Sequence, residues 1–194
     1  MLRLMREDDC LDVARLHIEE FSQDDLLPSL GVGALRLIYK GMLREEKSIG
    51  YIAEEDKRII GFITGSEDAG GLLCRCVRKE FIPLSFHVLK ALIRKPLLIA
   101  RIPQAFAYNK KTELDTPAEL MSVAVKEGYR GKGFGRKLTE VLIADIRKRG
   151  ADKVKVAVNK SNAAANIFYK KMGFIYQNTF KFCNKDMNLY VINI

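Results

Sequence analysis

Residues 130–137 read Arg-Gly-Lys-Gly-Phe-Gly-Arg-Lys, three glycines at alternate positions among four basic side chains. Without a Cβ, glycine lets a backbone come close to a ligand. Before the segment lies an apolar stretch, Glu119 to Lys126. After it, Leu138, Val141, Leu142 and Ile146 recur at i, i+3, i+4 and i+8, the spacing of a helix face. A turn from strand into helix brings unpaired N–H groups and a positive dipole end to the turn itself. With Arg130, Lys132, Arg136 and Lys137 added, such a turn would hold a phosphate or pyrophosphate. Taken alone, the same turn also reads as a plain helix start. Two other phosphate loops are excluded by spacing. No G-x-x-x-x-G-K-[ST] run is present, and Gly131-x-Gly133-x-Gly135 lacks the G-x-G-x-x-G interval.

A second block follows: Asn162-x-x-Ala165-x-x-x-Tyr169-x-x-x-Gly173-Phe174. Ala165, Phe168, Tyr169 and Met172 share a helix face, and Gly173 stands where that helix should stop. Arg130-x-x-Gly133-x-Gly135 resembles the R/Q-x-x-G-x-G/A pyrophosphate loop of the GNAT N-acetyltransferase family, and the second block resembles that family's next one, in the same order. The resemblance is close over residues 118 to 177 and loose, in element order, over the remainder. It implies an α/β (α+β) fold: a mixed, mostly antiparallel central sheet of six to seven strands, splayed at its centre, with helices on both faces. It implies acetyl-CoA as acyl donor and no metal. Backbone groups of Val123, Ala124 and Val125 would pair with the pantetheine arm. Arg130, Gly131, Lys132, Gly133, Phe134, Gly135 and Arg136 would receive the pyrophosphate. Asn162 would lie near the pantetheine, and Tyr169 would reach the sulfur.

Acyl transfer from a thioester to an amine needs a neutral amine, a donor for the developing oxyanion, and a proton or hydrogen bond for the departing thiolate. By resemblance, a backbone N–H near Val123 is the oxyanion donor. A phenol with a pKa of about 10 stays protonated beside a thiol of about 8.5, so Tyr169 is the candidate acid; a packed core aromatic is its other reading. Glu119, eleven residues before Arg130, is the candidate base, because some similar enzymes place a glutamate there. A strand-end surface glutamate is an equal alternative, and Glu113 and Asp115 are substitutes. His17 and His87 fall outside both blocks and read as structural.

The elements that must position these groups are legible in outline. Leu2 to Met5 reads as a strand and Asp9 to Phe21 as an amphipathic helix. Ser29 to Leu43 reads as a second helix, with Ser29 as its N-cap. Ser48 to Ala53 and Arg58 to Thr64 form a hairpin around Glu54-Glu55-Asp56-Lys57, and Ala69-Gly70-Gly71 is a loop. Residues 81–106 read as an insertion of two helical pieces broken at Pro96. A packed amphipathic pair is favoured there over a lid on the acceptor site or a membrane-surface helix. Glu119 to Lys126 is a strand with Met121, Val123 and Val125 on one side. The next helix should stop at Gly150. Val154 to Val158, Phe174 to Tyr176 and Leu189 to Ile192 read as strands.

The 194 residues fit a single domain, residues 1–194, and an apolar fraction of 48% supports a sizeable core. No run of about 18 uncharged apolar residues spans a bilayer. The N-terminus turns acidic early, so the reading is cytoplasmic. Cys10, Cys74, Cys76 and Cys183 do not form a disulfide framework, and Cys74-x-Cys76 with His87 lacks zinc-site spacing. The net charge of +9 could attract nucleic acid, anionic lipid or a small anion without choosing among them. No basic-aromatic stacking motif supports nucleic acid. The leading acceptor is a small-molecule amine, an amino sugar or metabolite, with an anionic acceptor suggested by the charge on the insertion. A protein N-terminus or lysine is the alternative, as is a module that binds CoA without catalysis. A homodimer through the last strands follows from resemblance.

Overall fold

The computed structural model describes residues 1–106 and 116–194. Glu113 and Asp115 lie outside the described residues. The chain runs β1 (Leu2–Leu4), α1 (Cys10–Glu20), α2 (Leu26–Ser29), α3 (Val32–Leu43), β2 (Ser48–Glu55), β3 (Arg58–Ser66), α4 (Leu72–Lys79) and α5 (Phe81–Arg94). A 3-10 turn (Pro96–Ala100) and α6 (Ile102–Phe106) follow. Next come β4 (Glu119–Val125), α7 (Phe134–Lys148), β5 (Lys153–Asn159), α8 (Ala163–Lys171), β6 (Ile175–Phe182) and β7 (Lys185–Asn193).

The seven strands form one sheet in the order β1-β2-β3-β4-β5-β7-β6. Every pairing is antiparallel except β4 with β5. That is the mixed, mostly antiparallel sheet expected, with helices on both faces. α7 and α8 cover one face, where Leu138, Leu142 and Ile146 pack with Ile63, Leu120, Val156 and Tyr169. Gly65 allows α7 to come this close: a Cβ there would meet Leu142 Cδ2 at 3.0 Å. α1, α3 and α4 cover the other face through Val13, Leu35, Tyr39, Leu72 and Cys76 on Phe62 and Ala124.

Most boundaries match the sequence reading to within a few residues, and the differences have local causes. Ser29 is not the N-cap of α3. Its hydroxyl donates to the Leu26 carbonyl at 2.6 Å, closing α2, and Gly31 at φ 85° starts α3 instead. Helix α4 was not anticipated, because Arg75, Arg78 and Lys79 mask a short apolar stripe. Pro96 breaks the helical insertion, as its fixed φ and missing N–H require. The expected common side for Met121, Val123 and Val125 fails at Met121. Gly65 pairs with Leu120 but Thr64 pairs with Ser122, so Met121 is the extra residue of a bulge and is 38% exposed. Past the bulge, Val123 and Val125 face α7 with Leu120.

Candidate functional site

The site begins with a failure of pairing. β4 and β5 share one residue pair, Glu119 with Lys155, whereas β4 pairs with β3 along its length. A bulge bends its strand and strengthens the local twist. The bulge at Met121 lies just beyond that last pair, so β4 leaves β5 there. The far edge of Ser122–Val125 thus has no strand beside it among the described residues. The gap opens into a cavity of about 1050 Å³ bordered by β4, β5, α1, α3, α4 and the 130–136 turn.

The turn closes one end. Gly131 and Gly133 have φ of 75° and 85°, left-handed values that a side chain strains to adopt. A Cβ on either would meet nothing within 4 Å, so the space above them is open. Gly133 starts α7 without a side-chain cap. The first intrahelical bond runs from Lys137 N to Gly133 O at 3.0 Å, leaving the N–H groups of Phe134, Gly135 and Arg136 for another acceptor. Arg130, by contrast, is committed to the protein: its Nε donates to the Val125 carbonyl at 3.1 Å and its guanidinium pairs with Glu20. Glu20 also accepts from Glu127 N at 3.2 Å. Arg130 therefore braces the turn against α1. Lys132 Nζ sits 4.9 Å from the Tyr129 ring centre, and Arg136 pairs with Glu140 at 2.7 Å on the surface.

Tyr169 borders the cavity from α8 and is almost wholly buried. Phe168 and Phe174 meet its ring edge-on at 5.1 and 5.2 Å, and burial pushes its phenol well above the ordinary value. Its hydroxyl makes no hydrogen bond among the described residues. Asn162 borders the cavity as the N-cap of α8, and its Oδ1 accepts from Ala165 N at 3.0 Å. Its oxygen is thus occupied, which leaves its Nδ2 as the group able to meet a ligand. Glu119 also borders the cavity. It is buried, with its carboxylate 4.0 Å from Lys155 Nζ, not the exposed strand-end glutamate of the alternative reading.

Three participants, Lys155, Asn166 and Glu20, escaped the sequence reading, and His17, read as structural, also lines the cavity. Lys155 interrupts an apolar alternation between Val154 and Val156, which was the available signal. Asn166 is buried and ties three elements: Nδ2 donates to the Asn159 and Asn162 carbonyls at 2.9 and 2.7 Å, while Oδ1 accepts from Asn188 and Tyr190 at 2.8 Å. Glu20 carried no signal. His17 is buried in the cavity wall, stacked on Phe21 at 4.1 Å and hydrogen-bonded to Tyr39; burial lowers its pKa to about 3, so the ring is neutral. α4 contributes Leu72, Cys74 and Cys76 to the wall, while no described residue of the insertion, 81–106, does. No cluster of three His, Cys, Asp or Glu suited to a metal ion occurs among the described residues.

Residues 104–174 match the model of the acetyltransferase (GNAT) family. That segment is just over a third of the chain, and it resembles the GNAT family. The [ribosomal protein bS18]-alanine N-acetyltransferase of Escherichia coli K12 is 42% identical over 57 residues, 29% of this chain and 38% of that protein. The chain therefore matches well under half the length of that relative. The crystal structure of an N-acetyltransferase from Staphylococcus aureus Mu50 superposes with a TM-score of 0.63 at 16% identity, over 100% of this chain and 97% of the other. The PaiA N-acetyltransferase of Thermoplasma acidophilum, solved with coenzyme A, gives 0.62 at 16% identity, over 97% and 96%. Within the matched segment the second sequence block supplies a cap (Asn162), a buried phenol (Tyr169) and a stop (Gly173, φ 90°) on one short helix.

Proposed function

We propose that the chain transfers an acetyl group from acetyl-CoA to a primary amine of a small molecule. One observation carries the reading: an unpaired strand edge runs from a glycine turn with free helix N–H groups to a buried, protonated tyrosine. The residues suit the donor. Ser122–Val125 offer a peptide-like arm a strand edge, and the N–H groups of Phe134, Gly135 and Arg136, beside the open space over Gly131 and Gly133, suit a pyrophosphate. When bound, acetyl-CoA supplies the activated acyl carbonyl.

The chain's own groups do the rest. The Val123 N–H holds the negative charge that develops on the acyl oxygen. Tyr169 keeps its proton at neutral pH and offers it to the sulfur as the thiolate leaves. Glu119 takes the proton from the attacking amine, directly or through water, with Lys155 holding its carboxylate. The acceptor side is walled by α1, α3 and α4, which favours a compact amine over an open groove for a chain end. A protein N-terminus stands as the second reading, because the Escherichia coli relative carries that activity in its name.

A panel of amino sugars, metabolite amines and an alanine-first peptide, read by release of CoA thiol, tests both. Release with a small amine supports the first reading; release with the peptide alone supports the second. Gly133→Asp places a side chain at φ 85° and a negative charge at the turn. Its calorimetric affinity for CoA should fall by more than about 100-fold, the scale of an unpaired charge in a binding site. Unchanged affinity in a folded variant would remove the turn from the site.

A further inference from the structure

The insertion helix α5 keeps its outer face unpartnered among the described residues. Its inner face is used: Leu84 and Ala91 are buried against α3 and α2. His87 packs so closely on Gly33 that a Cβ there would clash with its ring. The outer face carries Ile82 and Phe86 on one i, i+4 row and Leu89 and Ile93 on the next. All four are exposed, Ile82 by 81%, and Leu97 and Ile99 extend the stripe into the 3-10 turn, Leu97 by 80%. Monomeric soluble proteins rarely leave a contiguous apolar face of this kind uncovered. Along one flank runs a basic row, Lys90 and Arg94, each one turn beyond Phe86 and Lys90 respectively. Both are exposed and neither makes an ion pair among the described residues. Lys95 and Arg101 follow, and Arg78 and Lys79 precede. The sequence holds no Asp or Glu from residue 81 to residue 112.

We propose that this face docks on an anionic membrane surface, with α5 lying in the plane of the interface. An apolar stripe beside Lys and Arg, with no acid among them, is the pattern of an in-plane interfacial helix. The aliphatic side chains enter the acyl boundary, and Lys90 and Arg94 meet lipid phosphates. Fourteen residues span about 21 Å at 1.5 Å each, too short to cross a hydrocarbon core of about 30 Å. Two other occupants fit less well. A second copy joined through this face would set the Lys90–Arg94 rows of both copies together with no acid in the segment to offset them. A nucleic acid would meet Ile and Leu where base stacking needs aromatic or guanidinium planes.

The proposal stands apart from the acyl-transfer reading, since no described residue of α5 borders the cavity. The test is co-sedimentation of the full chain with vesicles of phosphatidylglycerol and phosphatidylcholine in roughly equal parts, against pure phosphatidylcholine. The parent should sediment with the mixed vesicles and release as salt is raised. Lys90→Ser with Arg94→Ser should weaken binding about fivefold per residue removed. Ile82→Ser with Phe86→Ser and Ile93→Ser should abolish it. Both variants should keep the parent's circular dichroism, because they alter exposed positions. Binding that is absent, or equal on both vesicle types, overturns the proposal. So does a parent dimer in sedimentation velocity that the Ile82, Phe86 and Ile93 changes dissociate, which would make the face a self-interface.

Discussion

On the face covered by α7 and α8, the contacting stripe is closed: Leu138, Leu142 and Ile146 are fully buried and Tyr169 and Phe174 nearly so. On the opposite side, α5 buries Leu84 and Ala91 but leaves Ile82, Phe86, Leu89 and Ile93 in solvent. The first region is complete within one chain, and Asn162 and Asn166 tie the N-terminal part of its helix α8 to the neighbouring backbone and to β7. The second is half complete. The contrast separates the part of the molecule that carries the proposed donor site from the part whose apolar and basic surface faces outward.

The sharpest test of the closed region is its phenol. Tyr169→Phe removes one oxygen and leaves the ring against Phe168 and Phe174. Turnover should fall about 10- to 1000-fold, the scale of acid catalysis or one oxyanion-type donor, with CoA affinity nearly unchanged. Wild-type turnover, measured where chemistry limits the rate, would make Tyr169 a packing residue and the two regions more alike.

Asn166→Ala tests whether the closed region depends on its polar hub. The change strands the Tyr190 hydroxyl and the Asn188 amide, while the Asn159 and Asn162 carbonyls keep backbone donors. Orphaned buried groups cost about 1–3 kcal/mol each before relaxation, so a net loss of about 2–4 kcal/mol is expected. Calorimetry should show Tm lower by about 5–15 °C at this chain length. A fall within about 2 °C would show that water replaces the amide.

The smallest effect concerns the other face. Burial lowers His17 to about 3 in the folded chain, whereas an unfolded histidine titrates near 6.5. The unfolded state therefore binds a proton that the folded state refuses. Stability is fully present above about pH 6.5 and is lost as pH falls toward 3, by about 1.4 kcal/mol per pH unit from this group. Melting curves from pH 7 to pH 4 should show a shallower decline for His17→Gln than for the parent. Parallel curves would mean that His17 takes a proton in place.

The closed region was legible in the sequence because its constraints are local. A left-handed turn demands Gly131 and Gly133, a helix stop demands Gly173, and a stripe at i, i+3 and i+4 names Leu138 to Ile146. What escaped depends on partners distant in the chain. The bulge at Met121 exists only in the register against Gly65 and Thr64. Glu20 reaches Arg130 across 110 residues, and Asn166 meets Asn188 and Tyr190 on a strand whose length was underestimated. Helix α4 was hidden because three basic residues in eight blurred its stripe. The basic residues of the insertion read as an excess over what a core helix needs, but the sequence could not show that none of the described ones lines the cavity.

A sheet whose two halves share one residue pair at their junction is held there mainly by side-chain packing under α7 and α8. A hydrogen-bonded ladder fixes its strands at about 4.8 Å; apolar packing is non-directional and sets no such spacing. The width of the seam is therefore an adjustable dimension of this molecule, able to follow the thickness of whatever lies in it without breaking a rung.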